Sequence, residues 1–245
     1  MGNLLKIPQS ELHATLEVLE HLGVESRHFE TIRKDPARAS AAAQAIIAGY
    51  ILVDPVKADL NSQLVSWQNL YLELGLKVDV SNLKIPASQP GFTRLILVPE
   101  GLTPNKAVAL LKKKMSVYTY TDNLDTITSV RDTKKTYVIW VRDRIEADEE
   151  LKNKSANDLK RDGINCITLI ERLLYELKFF TETTAMAGQA QKHLDVKNWT
   201  LCGGSRNSSG NVPSVGWGSN GGGVGVYWDY ADYRYGNSRS RVAVS

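Results

Sequence analysis

The sequence predicts an α+β fold in which a small helical module precedes a larger mixed domain. Apolar residues recur at helical spacing before residue 90, and strand and helix patterns alternate between residues 92 and 180. Only strand patterns follow residue 199. Helical runs followed by runs of strands are typical of α+β proteins. With 245 residues, the chain is long enough for one large domain with an extension.

The first 90 residues predict a helical module and a connector. Short helices are expected near residues 10–23 and 35–49, because each begins at a capping residue and ends at a glycine. The connector, residues 78–90, holds two prolines. Paired short helices also occur in DNA-binding regulators. Residues 1–50 carry five basic and six acidic side chains, so a packing module is favoured over a DNA reader.

Longer helices and several strands follow from the periodicity of apolar residues. Helices at residues 56–74 and 164–180 each carry one apolar stripe. The stripes comprise Leu60, Leu64, Trp67 and Tyr71 in the first helix, and Ile167, Ile170, Leu174 and Leu177 in the second. Thr103 and Pro104 begin a further helix between them. Clustered β-branched and aromatic residues predict strands at residues 92–98, 117–120 and 137–141.

The C-terminal region differs in composition from the rest of the chain. From Gly203 onward it contains ten of the 18 glycines and no Lys, Glu, Gln or Leu. Two alternating strands are predicted there, joined by a loop at residues 219–223. One face carries Val215, Trp217, Val224, Val226 and Trp228, and the other carries Ser214, Gly216, Gly218, Gly225, Tyr227 and Asp229. We expect the apolar face, together with Trp199, to be buried.

The outward residues of this region form a chemically unusual set. Asn, Ser, Tyr, Asp and Gly are reached by changing the first two bases of an Asn codon, whereas Lys, Glu, Gln and Met are not. A surface selected for stability normally carries Lys and Glu. Tyr, Ser, Asn and Gly are the residue types that antibody loops use for contact, because they combine rigid amphipathic area with adaptable polar groups. The composition therefore indicates a binding face.

At these residues the chain resembles the variable proteins of diversity-generating retroelements, in particular their archaeal-virus and uncultivated-prokaryote branch. The matching motifs are Leu-Cys-Gly-Gly-Ser-Arg at residues 201–206, Gly-x-Val-Pro-x-Val-x-Trp at residues 210–217 and Arg-Ser-Arg-Val-Ala-Val-Ser at residues 239–245. The resemblance covers residues 93–245. It implies a C-type lectin-like domain, with mixed antiparallel sheets and two helices, at residues 91–245.

The resemblance also implies a function. A display protein of this kind binds a ligand without making or breaking a bond, and serves host attachment at a virion surface or recognition at a cell surface. Its diversified region would span about residues 205–238. The first and last strands of the domain would pair, which places residues 241–244 beside residues 95–98. The expected contact residues are Asn207, Ser209, Asn211, Ser214, Gly216, Ser219, Asn220, Tyr227, Asp229, Tyr230, Asp232, Tyr233, Tyr235 and Asn237.

No catalytic, metal-binding or cofactor-binding motif is predicted. His193 is the only histidine outside the N-terminal module, and the Gly-Gly-Ser at residues 203–205 lacks the Lys of a phosphate loop. The acidic residues 142–154 do not match calcium-loop spacing. A formylglycine-generating enzyme shares the implied fold and uses paired cysteines, so it is the main alternative. A DNA-binding regulator acting through the N-terminal helices is the second alternative.

Composition also bears on partners and location. A net charge of +3 gives no electrostatic footprint for nucleic acid. No apolar run approaches the length of a membrane span, and the N-terminus lacks the core of a signal peptide. We therefore expect a protein or surface ligand, no membrane insertion, and two buried, unpaired thiols at Cys166 and Cys202.

Overall fold

The computed structural model describes residues 55–185, 192–218 and 221–245, together with His13, Ser26, Phe29, Glu30, Lys34 and Asp35. Four helices are described, namely α1 (Pro55–Glu73), α2 (Pro104–Lys112), α3 (Ala156–Arg161) and α4 (Leu169–Ala185). A 3₁₀ helix spans Glu149–Leu151. Nine strands are described, namely β1 (Arg94–Val98), β2 (Val117–Thr119), β3 (Thr128–Ser129), β4 (Tyr137–Val141), β5 (Trp199–Leu201), β6 (Ser205–Arg206), β7 (Val212–Gly218), β8 (Gly223–Asp229) and β9 (Ser238–Arg239).

The chain divides into two compact units, Met1–Asp59 and Leu60–Ser245. The helices predicted near residues 10–23 and 35–49 fall almost entirely outside the described residues. In the second unit, the buried side chains of Trp67 and Tyr71 belong to the same hydrophobic core as the strands that follow. The boundary between the two units lies within α1.

The second unit is an α+β structure with mixed sheets. Its largest sheet has the strand order β2-β8-β7-β5-β9, in which β2 runs parallel to β8 and β9 runs parallel to β5. Strands β1 and β4 form a separate antiparallel pair, as do β3 and β6. This confirms the predicted α+β class and the predicted strands at residues 92–98, 117–120 and 137–141 to within two residues at each end.

Helix α4 lies at the centre of the unit. It contacts α2, β1 and β7. All the side chains from Ile167 to Phe180 are buried, including four charged ones, Glu171, Arg172, Glu176 and Lys178. A helix surrounded in this way needs partners for each of its charges, because an isolated buried charge is strongly destabilising.

Glu171 pairs with Arg131, and Lys178 pairs with Glu182. Arg172 and Glu176 belong to a buried ionic network that joins distant parts of the chain. The Asp195 carboxylate accepts from Arg172 Nε at 2.8 Å and from Arg241 Nη2 at 2.7 Å. Arg172 Nη1 also donates to Glu176 Oε2 at 2.9 Å, and the Thr200 hydroxyl donates to Asp195. The network therefore ties α4 to β5, to the loop before β5 and to the C-terminal segment.

The two guanidinium groups and two carboxylates of this network balance in charge, and each side chain is no more than 1% exposed. Burial alone would lower the pKa of Arg172, but the carboxylates of Asp195 and Glu176 outweigh that effect and raise its pKa above the ordinary value. Sequence patterning assigns charged residues to the surface, and therefore did not predict this network.

Local sequence explains where the helices begin and end. Thr103 caps α2 by accepting from the Lys106 amide at 3.3 Å, and Pro104 occupies the first turn, as predicted. Gly75 follows α1 with φ at +83°, and the amide of Leu76 bonds back to the Tyr71 carbonyl at 2.7 Å. That left-handed glycine and the long backward bond form a Schellman ending.

Side chains of α1 cover the outer edge of β1. Trp67 Nε1 donates to the Leu95 carbonyl at 2.9 Å, and the Tyr71 hydroxyl donates to the Leu97 carbonyl at 2.5 Å. The Gln63 side chain bonds to the amide of Leu95 at 2.8 Å. An open strand edge is a template for pairing with other chains, and covering it with a helix prevents this. The predicted apolar stripe of α1 thus also serves as a set of hydrogen-bond donors.

The predicted pairing of residues 241–244 with residues 95–98 is wrong. Strand β4 pairs along the whole length of β1 on one side, and α1 occupies the other side. The C-terminal segment instead lies along the far edge of β4, where Val244 and Trp140 exchange two backbone hydrogen bonds of 2.9 Å. Since β1 has no free edge, the segment pairs with the next strand along.

No helix among the described residues is long and apolar enough to cross a membrane.

Because the Tyr71 hydroxyl bonds to the edge of β1, removing this single oxygen atom should lower the stability of the fold. In Tyr71→Phe, the Leu97 carbonyl loses its donor in a buried site, so the free energy of unfolding should fall by about 1–2 kcal/mol. Urea denaturation measures this. Leu72→Ala is the matched control, because Leu72 is the next residue of the helix and is 68% exposed. Equal stability of Tyr71→Phe and the wild type would show that this hydrogen bond does not contribute.

Candidate ligand-binding face

The hairpin of β7 and β8 forms the floor of the candidate face. Its register pairs Ser214 with Tyr227, Val215 with Val226, and Gly216 with Gly225. The alternation predicted from the sequence is thereby confirmed. Val215, Val224 and Val226 join the core on one side, while the polar and glycine set lies on the other. The loop between the strands includes Ser219 and Asn220, which lie outside the described residues.

A pair of glycines on this hairpin accommodates the indole of Trp199. A Cβ atom at position 216 would lie 2.9 Å from two ring atoms of Trp199, and one at position 225 would lie 3.2 Å from a third. The ring of Tyr227 meets the indole edge-on, with a centroid distance of 5.3 Å. Glycine is required here because the indole occupies the space of a side chain.

Three tryptophans that the sequence predicts as buried are only partly buried. Trp199, on the polar side of the hairpin, forms part of the candidate face. Trp217 stacks on His193 at a centroid distance of 3.4 Å, and Trp228 packs against the edge of the core. The prediction for Trp199 is wrong because its ring packs on glycines at the surface rather than among apolar side chains. Val215 and Val226 are buried, as predicted.

The tyrosine-rich segment at residues 230–237 is anchored on α3. Arg234 makes two hydrogen bonds to the Asp158 carboxylate, at 2.5 and 2.7 Å. The backbone N–H of Asn157 donates to the Ala231 carbonyl, and the side-chain Nδ2 of Asn157 donates to the Asp232 carboxylate. Hydrogen bonds from Arg234 and from the Ser155 amide hold the pKa of Asp158 well below its usual range. These hydrogen bonds therefore hold the segment against α3 without using its aromatic side chains.

Exposed tyrosines cover this anchored segment. Tyr233 stacks on Tyr235 at 5.4 Å and lies 5.7 Å from Tyr230, measured between ring centroids. Tyr227, Tyr230 and Tyr233 are 44%, 63% and 60% exposed, and Tyr235 is half-buried. Large aromatic side chains held at the surface are typical anchors of protein interfaces.

Two adjoining depressions lie on this face and share Tyr227. The smaller, of about 280 Å³, is lined by Trp199, Ser214, Tyr227, Asp229, Tyr235, Asn237 and Ser238. The larger, of about 390 Å³, is lined by Tyr120, Asn207, Asn211, Tyr227, Trp228 and Tyr230. Eight of the fourteen predicted contact residues thus line one or other depression, and Tyr233 stacks between two of them.

Some predicted contact residues lie elsewhere or are covered. Gly216 is buried beneath Trp199, so it cannot contact a ligand. Ser214 is also buried, but it forms part of the floor of the smaller depression. Ser209 and Asp232 are exposed without lining either depression, and Asp232 bonds to Asn157.

The sequence reasoning missed three aromatic residues at this site, Trp199, Trp228 and Tyr120. Tyr120 is 74% exposed and lines the larger depression. It follows β2, which pairs with β8, and its amide bonds to the Val226 carbonyl at 3.0 Å. The signal that would have found it is the alternation of Tyr118 and Tyr120, which places both on one side of an extended segment.

The electrostatics of the face centre on Asp229. Its side chain is half-buried, and burial raises the pKa of its carboxyl above the ordinary value, although a hydrogen bond with Ser214 acts in the opposite direction. Within the described ranges, no Lys, Arg or His side chain forms an ion pair with Asp229. No group of three His, Cys, Asp or Glu side chains in the same ranges is arranged to hold a metal ion.

Both cysteines are buried and unpaired. Burial raises the pKa of the Cys166 thiol and of the Cys202 thiol. A raised pKa keeps each thiol protonated near neutral pH, where a nucleophile or metal ligand needs the thiolate.

Comparison with known proteins gives no relative. No protein-family model, curated protein or solved structure matches this chain. The face is therefore interpreted from its own residues and geometry.

The packing of Trp199 on glycines predicts that Gly216 does not tolerate a side chain. Gly216→Ala places a methyl group 2.9 Å from the indole and 3.1 Å from the Asn198 carbonyl, and should cost about 1–3 kcal/mol of stability. Gly218→Ala is the matched control on the same strand, because its nearest atom would lie at 3.5 Å. Thermal melting of the two variants measures the difference. Equal melting temperatures would contradict the close approach of Trp199.

Proposed function

We propose that the chain is a ligand-binding display protein, with a C-type lectin-like domain whose C-terminal face is diversified by a retroelement. It acts in host or surface recognition and catalyses no reaction. The observation that carries the proposal is the separation of two residue sets on the hairpin of β7 and β8. One side carries Val215, Val224 and Val226, which are buried, and the other presents Tyr, Asn, Asp and Ser around two depressions.

The anchoring of the tyrosine segment supports the same proposal. Main-chain and side-chain bonds to α3 fix residues 230–237 from below, so the exposed rings are not needed to hold the segment in place. Such a surface tolerates replacement of its exposed side chains, which diversification requires. Tyr and Arg are also enriched among residues that dominate binding energy.

The alternative of a formylglycine-generating enzyme has less support. Its chemistry needs a pair of reactive thiolates, whereas burial raises the pKa of both Cys166 and Cys202. Cys166 also lies against the backbone of Gly203, with its Sγ 2.9 Å from where a Cβ would be. This packing accounts for Cys166 as a core residue. The binding proposal uses the exposed face, which the enzyme alternative leaves without a role.

Sequencing the 3′ end of this gene across a natural population tests the proposal. We expect substitutions confined to template adenines in the codons for residues of the face, among them Asn207, Asn211, Tyr227, Tyr230 and Tyr233. The codons for Gly216 and Gly225 should not vary, because Trp199 lies over both residues. A near-identical template copy should lie close to a reverse-transcriptase gene.

The control is the rest of the same gene. Codons for α4 should show only background variation, since nearly every side chain in that helix is buried. Variation spread evenly over the gene, or the absence of a template copy from the flanking DNA, would contradict diversification by a retroelement.

A further inference from the structure

The smaller depression on the face combines aromatic walls with a single acidic group. Its walls are the side chains of Trp199, Tyr227 and Tyr235, and its polar groups are Ser214, Asp229, Asn237 and Ser238. No Lys or Arg lines it. Small-molecule sites usually measure about 300–1,000 Å³. At about 280 Å³, this cavity has room for one side chain or one small organic ion.

The carboxylate of Asp229 is not neutralised by the protein. In the part of the chain that the structure describes, it forms no ion pair, and the nearest basic residues along the sequence are committed elsewhere. Arg234 binds Asp158, and Arg239 binds Glu149 with a distance of 2.6 Å. A half-buried carboxylate without a cation is destabilised by burial, which is why its pKa is raised. A bound cation would relieve that penalty.

Aromatic rings favour the same kind of ligand. The faces of Trp and Tyr carry negative electrostatic potential, and rings that surround a small site attract ammonium and guanidinium groups. Trp199 and Tyr227 meet edge-to-face at 80°, so the two rings present differently oriented surfaces to the cavity. An anionic ligand would be repelled by Asp229. A neutral sugar would stack on the rings but would leave the carboxylate without a counter-charge.

We propose that this cavity binds an organic cation, namely the guanidinium or ammonium group of an Arg or Lys side chain presented by a protein ligand. The proposal rests on the proposed function and adds the chemistry of the partner. Asp229 supplies the counter-charge, the three aromatic side chains enclose the alkyl stem and the cationic head, and Asn237 and Ser214 offer hydrogen-bond acceptors. The larger depression lacks a carboxylate and therefore offers no counter-charge to a cation.

The test is a titration of the full chain with N-acetylarginine methylamide and N-acetyllysine methylamide. Binding is followed by the indole N–H signal of Trp199 in ¹⁵N-correlated NMR spectra, assigned by its loss in Trp199→Phe. The matched neutral probe is N-acetylcitrulline methylamide, which has nearly the shape of the arginine probe and no charge. We expect a saturable shift with the cationic probes and at least about tenfold weaker binding of the citrulline probe.

Two variants locate the interaction. Asp229→Asn keeps the size of the side chain and removes its charge, and should weaken binding of the arginine probe by about tenfold or more. Asp122→Asn is the control, because Asp122 is exposed and lines neither depression. Tyr227→Leu keeps an apolar wall and removes an aromatic face, and should weaken binding about threefold or more. It serves as a second readout if Asp229→Asn does not fold.

Three results would overturn the proposal. They are no saturable shift with either cationic probe, equal binding of the arginine and citrulline probes, and unchanged affinity in Asp229→Asn. Saturable binding of methyl α-D-glucoside without binding of the cations would instead assign the cavity to a sugar. These outcomes do not depend on the population sequencing. If the cationic probes do not bind but the variation is confined to adenines, the cation proposal is wrong and the proposed diversified binding face still stands.

Discussion

The structure depends on the buried carboxylate of Asp195, which pairs with Arg172 from α4 and with Arg241 from the C-terminal segment. Arg241 also donates to the carbonyls of Arg144 and Ile145, at 2.9 and 2.8 Å. Its neighbours Ser240 and Val242 bond to Asp148 in the segment after β4, and its own carbonyl accepts from the Ile167 amide before α4. One ionic centre thus fixes the C-terminal segment, α4 and β5 relative to one another. Replacing the whole centre by apolar side chains need not destabilise the fold, but removing one partner leaves uncompensated buried charge.

This arrangement separates what holds the fold from what faces the solvent. The C-terminal region supplies both, because Arg241 and the valines of β7 and β8 are buried while the tyrosines of residues 227–235 lie outside. The outer segment is held from below through α3, so its aromatic side chains bear little of the folding free energy. The Trp199 indole lies between the buried valines and the exposed tyrosines, where Gly216 and Gly225 leave room for it. A surface built in this way keeps its shape while its exposed side chains change.

Sequence patterns predicted the elements whose periodicity is local. The helix α1, the cap at Thr103 and the alternation of β7 and β8 follow from spacing alone, and the structure confirms them. Helix α4 begins at Leu169, five residues after its predicted start, so Ile167 of the predicted stripe precedes the helix. The partner of the C-terminal segment was not predictable, because it depends on which strand edges α1 and β4 already occupy. The buried Arg172 and Glu176 were missed because charge usually marks the surface. Trp199 was predicted to be buried because large aromatic residues usually belong to the core. In the structure its ring instead packs on two glycines at the surface.

The most direct test of this separation compares guanidinium unfolding of Asp195→Asn with that of the triple variant Tyr227→Ser, Tyr230→Ser and Tyr233→Ser. Asp195 has a φ of +53°, and Asn tolerates this left-handed conformation as well as Asp does, so the substitution isolates the charge. Asp195→Asn should lose about 3–5 kcal/mol, because two buried guanidinium groups lose their shared partner. The triple variant should lose no more than about 1.5 kcal/mol, since surface substitutions usually stay within about 0.5 kcal/mol each. If the triple variant is destabilised as much as Asp195→Asn, the tyrosines hold the fold and the proposed division between frame and face is wrong.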